Sequence, residues 1–377
     1  MNFKNLSLIV AFSGLLIAPV IVAQEVKSAP DVAVAKPAEE FKPSGKAEGR
    51  IYADFSRTLN QPESGTQYKS SVSGFELKRA YFGYSYQFAP VWSAKVLLDL
   101  TNDEPNIDRG VYVKNAFVQY KKGSLTGTFG IHDTQNFKYF DKIFGKRYLQ
   151  NPYYDQFKYY TSADLGASAE YTLGDYTVDL SVYNGEGFRR AQSDNGYRTG
   201  LGITGKFVDK KLTARLFADY LSKEYQQSSI EAFLSYQVAD KFTVGVDAIF
   251  QYHPDYSKIT NTISLSSDGK TVGKTTYSEL FARDKNHYGG TIFATYYINK
   301  TWNVFGRFDY SKATSFTDSN SYAKNNFLTG NQVIAGIEYV YSKNLRFAAD
   351  YQGLNSDLGG VTGEIVSKAF VHVDVAF

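Results

Sequence analysis

Apolar and polar side chains trade places at every second residue through most of this chain, and few patterns restrict a fold as tightly. Ile51, Ala53 and Phe55 alternate with Arg50, Tyr52, Asp54 and Ser56, and Ala80, Phe82, Tyr84, Tyr86 and Phe88 alternate with Arg79, Tyr81, Gly83, Ser85 and Gln87. Successive side chains of a strand face opposite sides, so a period of two marks strands with one apolar and one polar face. The pattern returns in Ala94, Val96, Leu98 and Leu100, in Leu212, Ala214, Leu216, Ala218 and Tyr220, and at the end in Val371, Val373, Val375 and Phe377. About 16 such segments of about ten residues follow Glu48, each the length of a tilted strand crossing a bilayer.

The connections alternate too. Short turns at Ala89-Pro90, Lys121–Gly123, Leu173–Asp175, Val208–Lys210, Ala239–Lys241, Asn299-Lys300 and Ser342–Asn344 are separated by long polar loops at 60–72, 102–110, 133–162, 184–197, 222–228, 253–285, 313–329 and 353–364. Strict alternation puts the short turns and both termini at one rim of a sheet and the long loops at the other. This predicts an all-β fold over residues 47–377, a transmembrane up-and-down antiparallel β-barrel of about 16 strands. Aromatic residues flank the short turns (Phe88 with Trp92, Tyr171 with Tyr176, Tyr236 with Phe242), where amphipathic rings suit the headgroup level of outer-membrane lipid.

Composition narrows the class further. The chain of 377 residues has no Cys, so it has no disulfide framework, thiolate metal site or Cys nucleophile. With 41 basic and 38 acidic residues, nothing suggests a nucleic-acid partner. The one apolar run long enough for a helix spans residues 6–23, behind Asn2 and Lys4 and ending in Ala23. That layout predicts a secretory signal peptide, 1–23, cleaved after Ala23. Residues 24–46 are rich in Pro, Ala, Lys and Glu without a period, and read as a flexible periplasmic linker. Export to the outer membrane of a Gram-negative cell follows, with both barrel termini periplasmic. The last strand, Ala369–Phe377, ends in Phe and resembles the targeting strand that the barrel-assembly machinery reads in bacterial outer-membrane proteins.

Phe75–Tyr84 followed by Trp92–Leu100, and Phe144–Tyr148 leading through Ser162–Gly166 to Tyr183–Gly187, resemble the porin O and P family, phosphate-selective porin-like proteins, in the versions found in Bacteroidetes. The resemblance covers residues 47 to 190 and implies a homotrimeric 16-stranded channel. Members that select phosphate carry a pore ladder of arginines and lysines.

The register opposite the apolar one holds Arg50, Arg79, Lys95, Lys206, Arg215, Arg307, Arg346 and Lys368. It also holds Asp54, Asp99, Glu170, Asp179, Asp219, Glu231, Asp247, Asp309, Glu338, Asp350 and Asp374. Charges on a strand face are costly in a dry core, and a water-filled lumen removes that cost. The signs are mixed, so a purely cationic ladder is not evident, and part of the set is expected to pair across strands. The third long loop carries Lys138, Lys142, Lys146, Arg147 and Lys158 against Asp133, Asp141 and Asp155. In trimeric porins that loop folds inward, so by similarity it is the expected constriction, with a weak anion bias. Its aromatics are expected to pack it against the wall or to stack on sugar rings.

The expected function is a channel for passive diffusion of small hydrophilic solutes and ions, including anions, with Arg79, Lys95, Asp99, Lys138, Lys142, Lys146, Arg147, Lys158, Arg215, Arg307 and Arg346 as pore-lining or constriction residues. The alternative is a barrel whose loops at 253–285 and 313–329 bind a surface ligand, as an adhesin or receptor. An enzyme is not expected: His132, His253, His287 and His372 lie far apart, and no serine motif accompanies His132 beside Asp133. No metal or cofactor is expected either, since the four histidines show no ligand spacing.

Overall fold

The computed structural model describes residues 40–60, 73–103, 108–222, 226–256, 260–265, 272–277, 283–313, 329–356 and 365–377. The leader read at 1–23, most of the linker read at 24–46, and much of the loops at 253–285 and 313–329 lie outside them.

Each alternating segment is a strand: β1 Ser44–Asn60, β2 Gly74–Ala89, β3 Trp92–Asp103, β4 Asp108–Lys122, β5 Leu125–Asp133, β6 Ala163–Leu173, β7 Tyr176–Tyr183 and β8 Tyr197–Phe207. The series continues with β9 Leu212–Ser222, β10 Gln227–Val238, β11 Phe242–Tyr256, β14 Arg283–Tyr297, β15 Trp302–Ala313, β16 Gly330–Ser342, β17 Leu345–Ser356 and β18 Ile365–Ala376. These strands form one closed antiparallel barrel, in chain order, with β1 paired to β18. β1 starts at Ser44, so residues 44–46 belong to the wall and not to the linker. A separate hairpin, β12 Thr260–Leu265 with β13 Val272–Tyr277, sits in the loop between β11 and β14, which the sequence pattern reads as plain loop.

The period of two becomes an outside and an inside. Outward side chains are apolar and uncovered, with Phe129 71% and Leu216 62% exposed. An uncovered apolar belt around the whole wall is untenable in water and suits lipid, where burial stabilises by about 25 cal/mol per Å². Aromatic contacts mark the short-turn rim: Trp92 lies 5.1 Å from Tyr120, Tyr236 6.0 Å from Phe242, and Trp302 4.7 Å from Tyr339.

Inward charges pair along and across strands. Arg215 on β9 reaches over β8 to Asp179 on β7, with Nη1 to Oδ2 at 2.6 Å and Nη2 to Oδ1 at 3.0 Å. The bridge fits because the β8 residue beneath it is Gly202, where a Cβ would stand 2.4 Å from the Arg215 Nη2. Arg307 chelates Asp309, and Arg50 and Arg346 converge on Asp374.

The loop between β5 and β6 folds into the barrel instead of outward. It carries two helices, α1 Gln135–Phe144 and α2 Tyr153–Gln156, that the strand pattern does not predict. Phe137, Phe140 and Phe144 recur at helical spacing and are buried, and Gly145 ends α1 in the left-handed region at φ 66°, its N–H donating to Asp141 O. Phe140 meets Phe293 on β14 at 5.3 Å, and Tyr159 stacks on His287 at 3.7 Å.

Candidate functional site

The infolded loop crosses the lumen from β5 and β6 to the far wall and is tied there by hydrogen bonds. Lys78 Nζ donates to Leu149 O at 2.8 Å, Arg307 Nη2 to Asn151 O at 2.7 Å, and Arg346 Nη1 to Gly145 O at 3.0 Å. At its tip, Lys146 Nζ binds Asn303 Oδ1 at 3.0 Å and the Glu338 carboxylate, to which Tyr148 also donates. Burial pulls the Lys146 ammonium below the ordinary lysine range, against the upward pull of Glu338.

Between this loop and the wall of β1 to β5 lies a cavity of about 350 Å³. Its charged lining comprises Lys46, Glu48, Arg50, Lys95, Lys114 and Asp133 from the wall, with Asp141 and Arg147 from the loop. Burial pushes the Asp141 carboxyl above the usual carboxylate range, although Arg147 pulls it down. Tyr52 and Tyr81, rings 5.8 Å apart edge to face, complete the wall opposite.

Of the residues singled out in the sequence, Lys95 and Arg147 line this cavity. The others are placed differently. Arg79 is bonded to Asp99 at 2.6 Å, and Arg215, Arg307 and Arg346 are held by the wall acids described above. Lys138 pairs with Glu170 on β6, and Lys146 anchors the loop. Lys142 and Lys158 are exposed and stand outside the cavity lining. The wall therefore presents a sequence of neutralised pairs rather than an open ladder of cations.

Two lysines that the alternation passes over point inward because each is the extra residue of a β-bulge. Lys78 falls between Leu77 and Arg79 where the β1–β2 register slips, and Lys114 between Val113 and Asn115 where β3–β4 slips. A bulge re-aims a side chain against the period of two. Lys78 reaches Asp54 at 3.1 Å, and Lys114 reaches Ser162 Oγ at 2.5 Å and Asp133 at 3.7 Å. Asp141 also lines the cavity, although the sequence shows it only as one acid among the loop's charges. His132 is a wall residue whose Nδ1 meets Gly130 O and whose Nε2 meets Ser168 Oγ, both at 2.9 Å.

No protein-family model and no curated protein sequence matches the chain. Solved structures of outer-membrane proteins do match its fold, the closed antiparallel barrel of 16 strands. The outer-membrane expressed OmpT of Vibrio cholerae is similar over 90% of this chain and 99% of its own, at TM-score 0.60 and 11% identity. The outer membrane channel DcaP of Acinetobacter baumannii is similar over 89% and 97%, at TM-score 0.60 and 11% identity. An anion-selective porin from Comamonas acidovorans is similar over 89% and 100%, at TM-score 0.59 and 10% identity.

Proposed function

We propose that this protein is an outer-membrane porin, a water-filled channel for passive diffusion of small hydrophilic solutes and ions with a preference for anions. The observation that carries this reading is the infolded loop between β5 and β6, which leaves against the wall a cavity lined by five basic and three acidic residues. Fixed charges at a constriction set ion preference. Four of the basic residues have acid partners within 4.0 Å: Arg50 with Asp374, Lys95 with Glu48, Lys114 with Asp133, and Arg147 with Asp155. The anion bias is accordingly weak, and the resemblance to the porin O and P family does not extend to a phosphate-selecting ladder. A homotrimer, export through the leader, periplasmic termini and insertion by the barrel-assembly machinery belong to the same proposal. One similar structure, of OmpT, is described as a trimer form.

The test is conductance of the purified protein in a planar bilayer bathed in potassium chloride. Stepwise currents with a reversal potential displaced toward the anion support the reading. A closed barrel that gives no steps sinks it and favours the alternative, a barrel whose long external loops bind a surface ligand.

A further inference from the structure

Resting on the homotrimer of the porin reading, we infer that the outer face of β3 to β7 is the surface on which a second copy of this chain packs. A gap in an aromatic girdle marks it. At the short-turn rim the rings continue past these strands, with Trp92, Tyr120, Tyr171 and Tyr176. In the loop-side half of the wall, exposed outward rings stand on β2, β8, β9, β11, β14 and β15: Phe75, Tyr197, Tyr220, Phe250, Tyr288 and Tyr310. The corresponding outward positions of β3 to β7 are aliphatic, at Leu100, Val111, Ile131, Leu165 and Val182. The rings at that end of β4 and β7 serve the interior: Tyr112 is paired with Asp99 on the inward register, and Tyr183 meets His132. Amphipathic rings anchor a barrel where it meets lipid headgroups, so five adjacent strands without them face something else.

The height of the wall says what that is. β5 and β7, with 9 and 8 residues, are the shortest strands of the barrel. At about 3.3 Å per residue and a tilt of about 40°, they rise about 20–23 Å, short of an apolar band about 25 Å tall. Lipid against them would be mismatched, at a cost for every ångström. A neighbouring barrel whose own wall is equally low is not mismatched, and a second copy of this chain has that wall. Val96, Val118, Phe129, Ala167 and Leu180 across the middle of the face are uncharged, so it can meet itself without an oppositely charged partner.

Cross-linking of the full-length protein in lipid vesicles tests the assignment. Leu165 on β6 and Val333 on β16, on the opposite wall, are each 41% exposed in the single chain. The chain has no cysteine, so a benzophenone maleimide is confined to the one introduced by Leu165→Cys or Val333→Cys. Illumination is expected to give chain-to-chain adducts from the Leu165 position and only lipid adducts from the Val333 position. Chain adducts from Val333 alone, from both alike, or from neither while the protein keeps the mass of an oligomer in mild detergent overturn the face. A monomeric mass overturns the homotrimer beneath it, and bilayer conductance then decides separately whether the porin reading stands.

Discussion

Tyr148 Oη donates to Glu338 Oε1 at 2.6 Å, and Lys146, two residues earlier in the chain, holds the other oxygen of the same carboxylate. One wall acid on β16 thus receives both a phenol and an ammonium from the tip of the infolded loop. Asn303 Nδ2 adds a third donor at 2.6 Å. The loop is fastened at its far end as well as at its two roots in β5 and β6.

Replacing that acid should loosen the constriction. Glu338→Ala leaves Lys146 buried without a counter-charge, a change that costs about 3–5 kcal/mol for a broken buried pair. The expected outcome is a lower unfolding temperature by circular dichroism together with larger and noisier single-channel steps. Steps of unchanged size would show that the Glu338 clamp does not hold the loop in place.

The pH dependence of selectivity has a definite sign. Burial raises the Asp141 carboxyl, so as pH falls it takes up a proton before ordinary carboxylates do. Protonation removes a negative charge from the cavity, so anion preference should grow as pH drops from neutral toward the acid range. Reversal potentials in a salt gradient measure this, and Asp141→Asn should show the acid-range preference already at neutral pH.

Gly202 is a steric requirement of the Arg215–Asp179 bridge. A Cβ there would lie 2.4 Å from Arg215 Nη2 and 2.6 Å from Asp179 Oδ1. Gly202→Val should destabilise the barrel by about 1–3 kcal/mol, the usual range for overpacking, read as a lower midpoint in denaturant. The preceding residue, Leu201, is exposed on the outer face, and Leu201→Ile at that lipid-facing position should leave the midpoint nearly unchanged.

Phe140 fastens the middle of the infolded loop, with its ring 5.3 Å from Phe293 and 5.7 Å from Tyr154. Phe140→Ala removes the ring from a buried aromatic cluster and should cost about 3–5 kcal/mol. Open-channel current noise should rise with it. A quiet channel of wild-type size would place the rigidity of the constriction elsewhere.

The wall is legible in the sequence because its signal is local: Leu216 faces out and Arg215 faces in by virtue of one step along a strand. What escapes is whatever depends on a second segment. That Lys78 and Lys114 point inward follows from slips of register against β1 and β3, which no single segment records. Arg215 reads as a pore cation, yet its partner Asp179 lies two strands away and becomes visible only once β8 is laid between them. Helix α1 has a local signal in Phe137, Phe140 and Phe144, but a loop so rich in aromatics masks a spacing of three and four. The inward fold of that loop is anticipated by resemblance, whereas its fastening to Glu338, Asn303 and Arg346 has no trace in the sequence.

The seam between the first and last strands governs the order of events in time. Gly49 and Phe377 exchange backbone hydrogen bonds, N to O at 2.9 Å and 3.0 Å, and Arg50 joins Asp374 across 324 positions of sequence. Until those partners meet, β1 and β18 are two bare edges of an open sheet, and the entropy of closing so long a ring must be met before any of the seam's bonds form. This pairing, of the longest range in the barrel, is the step that long-range topology is expected to make slow. Without β18 the edges of β1 and β17 would both stand unpaired, each a template for association with another chain.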